Sequence, residues 1–262
     1  ETFAQEGFWV FSNAKNHRMD PDVPLLITEL NPEHLEIIPR QQQNRGWKGA
    51  IITNPNCSAI VLALSIGPLH QSFGLERVHV VTFQAISGAG YPGVPSIDIL
   101  GNVVPFIPGE EEKTEKEPLK ILGQLTGSGI QNTYGIRISA TCTRVPVIDG
   151  HTAVVNIHFE NKKPSLDMIK SIWENFKAVP QLEQFPMAPE RPILYFEEEN
   201  RPQPILDRDM EKGMAVSVGR LKEDKFFDVR YVALSHNTVR GAAGGGILMA
   251  ELLVHKGYIY GK

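Results

Sequence analysis

Two stretches of strict alternation limit the folds open to this chain more than any other feature. In residues 134–143 the apolar Ile136, Ile138 and Ala140 fall on every second position, and in 152–160 Ala153, Val155, Ile157 and Phe159 do the same. Period two gathers the apolar side chains on one face of an extended strand. Such segments need a sheet packed on one side, not a helical bundle. Asp149 and Gly150 between them read as a turn joining a pair. Residues 8–11 (FWVF) read as a buried strand ended by Ser12 and Asn13, and 78–83 (VHVVTF) as another. Segments 214–218 and 226–233 form a further pair across the charged loop 222–225. Three helices are predicted. The first starts near Cys57 and stops at Gly67 and Pro68 after about Ile66. The second begins at Pro164 and Ser165 and carries Met168, Ile169, Ile172, Trp173 and Phe176 at helical spacing. The third runs from about Asn237 to His255 through GAAGGG at 241–246. The expected fold is α+β, a mostly antiparallel or mixed sheet covered by helices on one face.

Composition narrows the function. Across 262 residues, 26 Lys and Arg face 30 Asp and Glu for a net charge of −4, with 42% hydrophobic residues. That excludes a disordered chain and supplies no basic surface for nucleic acid or anionic membrane. The most apolar stretch, 59–69, contains Ser65, Gly67 and Pro68 and is shorter than the roughly 20 residues a bilayer requires. The two cysteines, Cys57 and Cys142, make neither a disulfide framework nor, unaided, a zinc site, so no metal is expected. Reduced thiols suit a cytoplasmic location. The chain opens ETFAQEGFWVFSNAK, with no Met, basic start or cleavage site, which reads as a helix end and strand continuing a longer sequence.

Reactive chemistry is expected at TNPNCS, residues 53–58. A strand ends, Asn54 and Pro55 turn, Asn56 caps, and Cys57 falls in the first turn of a helix. The positive helix end favours a thiolate, which predicts a pKa below the free value near 8.5. A buried core cysteine is the competing reading. Cys142, mid-strand between Thr141 and Thr143, reads as structural. A thiolate nucleophile needs an acid/base partner, usually His. His17, His34 and His70 read as surface or loop positions, and His79 and His158 as strand positions. His151 heads a strand just after the turn, near Arg144, whose planar fork suits a carboxylate. The charged run 109–117 (GEEEKTEKE) reads as a solvated helix start or loop.

TNPNCS, TFQAISGAG at 82–90 and RVPVIDGH at 144–151, taken in that order, resemble aspartate-semialdehyde dehydrogenases of the fungal or archaeal type. The opening SNAKNHRMDPDVPLLITELNPEHL at 12–35 and SHNTVRGAAGGG at 235–246 fit the same family, so the resemblance covers essentially the whole chain. It implies a glyceraldehyde-3-phosphate-dehydrogenase-like catalytic and dimerisation domain, NADP as cofactor, and a homo-oligomer, dimer or tetramer. The implied reaction is reductive dephosphorylation of L-aspartyl 4-phosphate through a cysteine thioester, on the route to lysine, threonine, methionine and isoleucine. By this resemblance Cys57 is the nucleophile, His151 the acid/base and Gln84 the residue orienting the acyl intermediate. Arg144 would bind the substrate carboxylate, Glu110 its ammonium, and Lys113 with Arg18 the phosphate, with Asn56 beside them. Ser87, Gly88 and Asn237 would lie near the nicotinamide.

The family's glycine-rich βαβ unit, which cradles the coenzyme pyrophosphate, has no counterpart after a strand in the first 50 residues. The expectation is therefore a chain lacking most of its Rossmann-type domain, with an incomplete NADP site. Residues 1–56 would be the tail of that domain, 57–232 the catalytic and dimerisation domain, and 233–262 a C-terminal helix returning to the first. Three alternatives share part of this logic: N-acetylglutamyl-phosphate reductase, malonyl-CoA reductase, and a non-catalytic dimerisation module. Glu110 separates the malonyl-CoA reading, since that substrate has no amino group to bind.

Overall fold

The computed structural model describes residues 1–260. Its strands are β1 (Trp9–Ser12), β2 (Ala50–Thr53), β3 (Leu75–Gln84), β4 (Gln124–Thr126), β5 (Gly129–Gln131), β6 (Arg137–Arg144), β7 (His151–Phe159), β8 (Ile193–Phe196), β9 (Val216–Glu223) and β10 (Val229–Ser235). Six form one sheet in the order β6-β3-β7-β10-β9-β8. β6 is parallel to β3 and β8 to β9, and the other neighbours are antiparallel, so the sheet is mixed. The predicted β9–β10 pair forms. The pair predicted around Asp149 and Gly150 does not, because β3 lies between β6 and β7. The connection after Arg144 is bonded to the end of β3: Val145 N–H donates to the Gln84 carbonyl, and Ile86 N–H to the Val147 carbonyl. It therefore crosses over β3 and cannot fold back on β6.

One face of this sheet is buried and the other largely open. Val78, Val80, Ala140, Cys142, Ala153, Val155 and Ile157 point into the core, while Arg77, Phe83, Arg137 and Thr141 are exposed. Helices Cys57–Phe73, Glu110–Ile121 and Leu166–Asn175 cover the buried face. The first passes through the interior, and each of its residues from Ser58 to Leu69 is buried. It runs on past Gly67 and Pro68, which were expected to stop it, and ends at Gly74 (φ 68). A proline costs a helix one N–H and some strain, and here the burial of the surrounding turns outweighs that cost. Ser65 knots this helix to its neighbours. Its carbonyl accepts from Trp173 Nε1 at 2.8 Å, and its hydroxyl accepts from Tyr231 at 2.9 Å.

The first 53 residues make a small parallel sheet. β1 pairs with β2 from Trp9 opposite Ala50 to Ser12 opposite Thr53, and Leu25 adds a parallel bridge to Thr53. With a partner on one side only, β1 is half-buried and not buried as expected, and Phe8 is exposed. Helix Gly244–His255 packs Leu248, Met249 and Leu252 on this unit, against Leu26, Leu35 and Ile52. The helix predicted from Asn237 begins instead as a π-turn at Val239–Ala243. Gly261 and Lys262, at the end of the predicted C-terminal segment, lie outside the described residues. His34, expected at the surface, is buried under the 3-10 turn Pro32–Ile37. Its Nδ1 accepts from Asn31 at 2.9 Å and its Nε2 donates to the Gly123 carbonyl at 3.2 Å. Burial pulls its pKa down to about 4. Among the described residues no helix is long and apolar enough to cross a membrane.

Candidate active site

Sheet register assembles the expected site. Gln84 ends β3 and Arg144 ends its parallel neighbour β6, directly opposite. His151 begins β7, which runs the other way, so it lies at the same end of the sheet, opposite Ser235 of β10. All three side chains point to the buried face. Helix Cys57–Phe73 starts at this end, with Asn56 as its cap. The Asn56 Oδ1 accepts from Ser58 N–H at 2.9 Å and Ala59 N–H at 3.4 Å. Its amide donates to both oxygens of Glu110 at 3.1 Å.

The helix start does not make Cys57 a thiolate. Burial pushes its pKa up to about 12, and the Glu110 carboxylate adds to the rise, against smaller opposing effects of Ser58 N–H, Arg144 and Arg18. Desolvation of a buried charge exceeds the helix-end effect, so the resting group is a thiol. A Cβ on Gly241 would stand 2.7 Å from the Cys57 Cβ, so only glycine allows the π-turn to approach this closely. That turn is held by Asn54, whose Nδ2 donates to the Gly241 and Ala242 carbonyls at 3.3 Å. A buried two-pronged pair also holds it, Arg240 Nη1 and Nη2 to Glu29 at 2.8 and 2.6 Å.

Glu110 is a hub. Besides Asn56 it accepts from Gln84 Nε2 at 3.3 Å and Lys113 Nζ at 2.7 Å. Together with Arg144, Gly88 and Phe106 it lines a cavity of about 300 Å³. A second cavity of about 260 Å³ adjoins across Pro108 and contains Lys15, Arg18, Lys113, Lys116 and Glu117. A larger hollow of about 450 Å³, on the open sheet face around Arg201, Arg220 and Arg230, shares no lining residue with either.

Ala85 links the guanidinium of Arg144 and the imidazole of His151. Its carbonyl accepts from Arg144 Nη1 at 2.7 Å and its N–H donates to His151 Nδ1 at 3.0 Å. With Nδ1 occupied as acceptor, a neutral His151 carries its proton on Nε2. That nitrogen is buried and has no partner among the described residues. Burial, with Arg144 and His236 adding to it, pulls the imidazole pKa down to about 3. A Cβ on Gly88 would lie 2.9 Å from both Arg144 Nη1 and His151 Nε2, so only a glycine lets these two side chains pack this closely on its backbone. Asn237 ties the loop down, accepting from Gly150 N–H and donating to Ser87 Oγ, each at 2.8 Å.

Known proteins are similar to this chain in sequence and fold. Residues 66–240 match the semialdehyde dehydrogenase dimerisation domain, and residues 1–38 match the semialdehyde dehydrogenase NAD binding domain. The aspartate-semialdehyde dehydrogenase of Methanothermobacter thermautotrophicus is 52% identical over 250 residues, 95% of this chain and 72% of that protein. The chain belongs to the aspartate-semialdehyde dehydrogenase family. A solved aspartate-semialdehyde dehydrogenase with NADP from Candida albicans superposes with a TM-score of 0.88 at 41% identity, over 98% of this chain and 74% of that one. A malonyl-CoA reductase (NADP) from Metallosphaera sedula is 43% identical, over 99% of this chain and 73% of its own length.

The expected site residues fall into linked groups: Asn56, Gln84 and Lys113 all bond Glu110, Arg144 and His151 both bond Ala85 beside Gly88, and Asn237 bonds Ser87. Sequence reasoning missed several others. Glu117 and Lys120 share the buried side of helix Glu110–Ile121 with Glu110 and Thr114. Their spacing over two to three turns was the available signal, hidden by reading the charged run as solvated. Gly241 and the Glu29–Arg240 pair had no local signal, since Glu29 and Arg240 are distant in sequence.

Proposed function

We propose that Cys57 is the nucleophile of an aspartate-semialdehyde dehydrogenase, which reduces L-aspartyl 4-phosphate with NADPH to L-aspartate 4-semialdehyde and phosphate. The observation that carries this reading is the placement of Arg144 and Glu110 on one cavity next to the cysteine-bearing helix end. An amino acid presents a carboxylate and an ammonium, and these two groups complement them. Arg18 and Lys113, on the adjoining cavity, bind the phosphate.

Cys57 Sγ attacks the acyl carbon. The S–C bond forms, the bond from carbon to the phosphate oxygen breaks, and the thiol proton ends on the departing phosphate. A substrate ammonium against Glu110 offsets the charge that raises the thiol pKa, so substrate binding itself favours the thiolate. Gln84 orients the thioester. His151, neutral with its proton on Nε2, donates a hydrogen bond to the carbonyl oxygen as negative charge develops there. This replaces the expected first role of His151 as acceptor of the thiol proton, because its acceptor nitrogen is held by Ala85. Ser87, Gly88 and Asn237 would hold the nicotinamide end, on a loop that Asn237 ties to Ser87 and that approaches Arg144 and His151 as closely as only a glycine allows. NADPH, when bound there, supplies hydride to the thioester carbonyl. Collapse of the tetrahedral product then breaks the S–C bond, frees the aldehyde and returns the Cys57 thiolate, which takes one proton from solvent to restore the resting thiol.

Residues 1–56 and 233–262 serve the coenzyme domain and 57–232 the catalytic and dimerisation domain, in a cytoplasmic dimer or tetramer. The test, run on the full-length protein with its coenzyme domain, is phosphate-dependent reduction of NADP with L-aspartate 4-semialdehyde, followed by NADPH absorbance; residues 1–262 alone are expected to be inactive. Activity abolished by Cys57→Ser supports the reading. Faster turnover of malonyl-CoA than of aspartyl phosphate would transfer the chain to the malonyl-CoA rival.

A further inference from the structure

The carboxylate of Glu117 has no part in the chemistry above, yet it is 3% exposed and sits at the floor of the basic cavity. One oxygen accepts from Arg18 Nη1 at 2.9 Å, and the other from the backbone N–H of Asn56 at 2.6 Å. Asn56 is the cap of the helix that begins with Cys57. We propose that Glu117 is a positioning residue: it sets the phosphate-binding guanidinium of Arg18 at a fixed place relative to the sulfur of Cys57, through one carboxylate bridging both. The proposal rests on the phosphate role given to Arg18 above.

The rest of the arginine's surroundings agree. Arg18 Nη2 donates to the Asn13 carbonyl at 2.6 Å, while its Nε is buried and unpartnered among the described residues. The backbone beneath it is held by the same helix face. Lys120 Nζ donates to the carbonyls of Arg18, Asp20 and Val23 at 2.7, 2.6 and 2.8 Å. Glu117 thus holds the guanidinium and Lys120 its main chain, from one turn apart on a single buried stripe. A glutamine cannot replace the carboxylate. Both partners are donors to separate oxygens, and an amide offers one oxygen while turning its NH₂ against the other donor.

The sign of the effect tests the claim. Glu117 carries negative charge beside a phosphate site, so its neutralisation would by electrostatics alone tighten phosphate binding. Positioning predicts the reverse. In the phosphorylating direction, Glu117→Gln is expected to raise the phosphate KM by about tenfold, the scale of one charge-assisted hydrogen bond, with the semialdehyde KM within about twofold. An unchanged or lowered phosphate KM overturns the proposal. So does an equal rise in both KM values, the mark of general disruption. Arg18→Leu separates this claim from the function it rests on. If Arg18→Leu leaves the phosphate KM unchanged, the assignment of Arg18 fails and the bridge falls with it. If Arg18→Leu raises it and Glu117→Gln does not, the bridge alone fails. On the Arg18→Leu background, Glu117→Gln should produce no further change in the phosphate KM, because the group it positions is gone.

Discussion

The N–H of Ala85 donates to Nδ1 of His151 at 3.0 Å, and this one contact settles which nitrogen of a buried imidazole holds the proton. The pKa of about 3 keeps the ring neutral throughout the ordinary working range. The pH profile of kcat/KM should therefore show no imidazole ionisation near 6.5. His151→Ala is expected to lower kcat by about 10²–10⁴. His151→Gln, which keeps an N–H donor, should lose less. A basic limb near pH 6.5 in the wild type that His151→Ala removes would contradict this tautomer.

Cys57 is expected to react slowly with iodoacetamide at neutral pH, with a rate that climbs into the alkaline range. A thiol pushed up to about 12 has little thiolate below that. Glu110→Gln should speed the alkylation by removing a charge that opposes thiolate formation. Mass spectrometry of the labelled peptide against pH measures both.

Arg144→Lys keeps the charge and loses the planar fork that bonds the Ala85 carbonyl and is proposed to hold the substrate carboxylate. The expected result is a KM for L-aspartate 4-semialdehyde raised about tenfold or more, with a smaller change in kcat. Unchanged steady-state constants would remove Arg144 from the site.

The Glu29–Arg240 pair is buried on both sides. Glu29→Ala leaves a guanidinium without its partner and should destabilise the fold by about 3–5 kcal/mol, read as a lower denaturant midpoint. Gly241→Ala should leave stability nearer the wild type and lose most activity, because the new Cβ presses on Cys57. Activity surviving Gly241→Ala would show that the π-turn yields easily.

His34 contributes to acid sensitivity. Its folded pKa of about 4 lies below the unfolded value near 6.5, so between these the unfolded chain binds more protons. Stability contributed by the neutral ring is complete above pH 6.5 and is lost as the pH falls toward 4. His34→Gln should flatten the fall in chemical stability across that window.

The sequence made local features legible and hid the distant ones. Alternation in 152–160 identified β7 because a one-sided sheet enforces it. The place of Cys57 at a helix start was readable because a turn, a cap and a strand end are all local. The insertion of β3 between β6 and β7 left no trace in either segment, since it depends on where the loop after Arg144 crosses. Pro68 misled because a proline's cost is local while its compensation, a helix buried all round, is not. Glu117 misled in the same way: charge in sequence suggests water, yet its carboxylate is buried and paired with Arg18 of a remote segment. The low thiol pKa expected from the cap was reversed by desolvation, which no residue spacing reports.

Gln84, Arg144 and His151 are brought to one end of the sheet through strand pairing, each as the terminal residue of its strand. Side chains along a strand point alternately up and down. Adding or deleting one residue within β3, β6 or β7 would thus swing its contribution to the opposite side of the sheet, however small the change in length. The excursion between residues 91 and 102, which lies before the Val104 bridge to Arg144 and outside that ladder, has no such rule to obey. Length variation in this enzyme should accordingly be forgiven in its hinges and punished in its rungs.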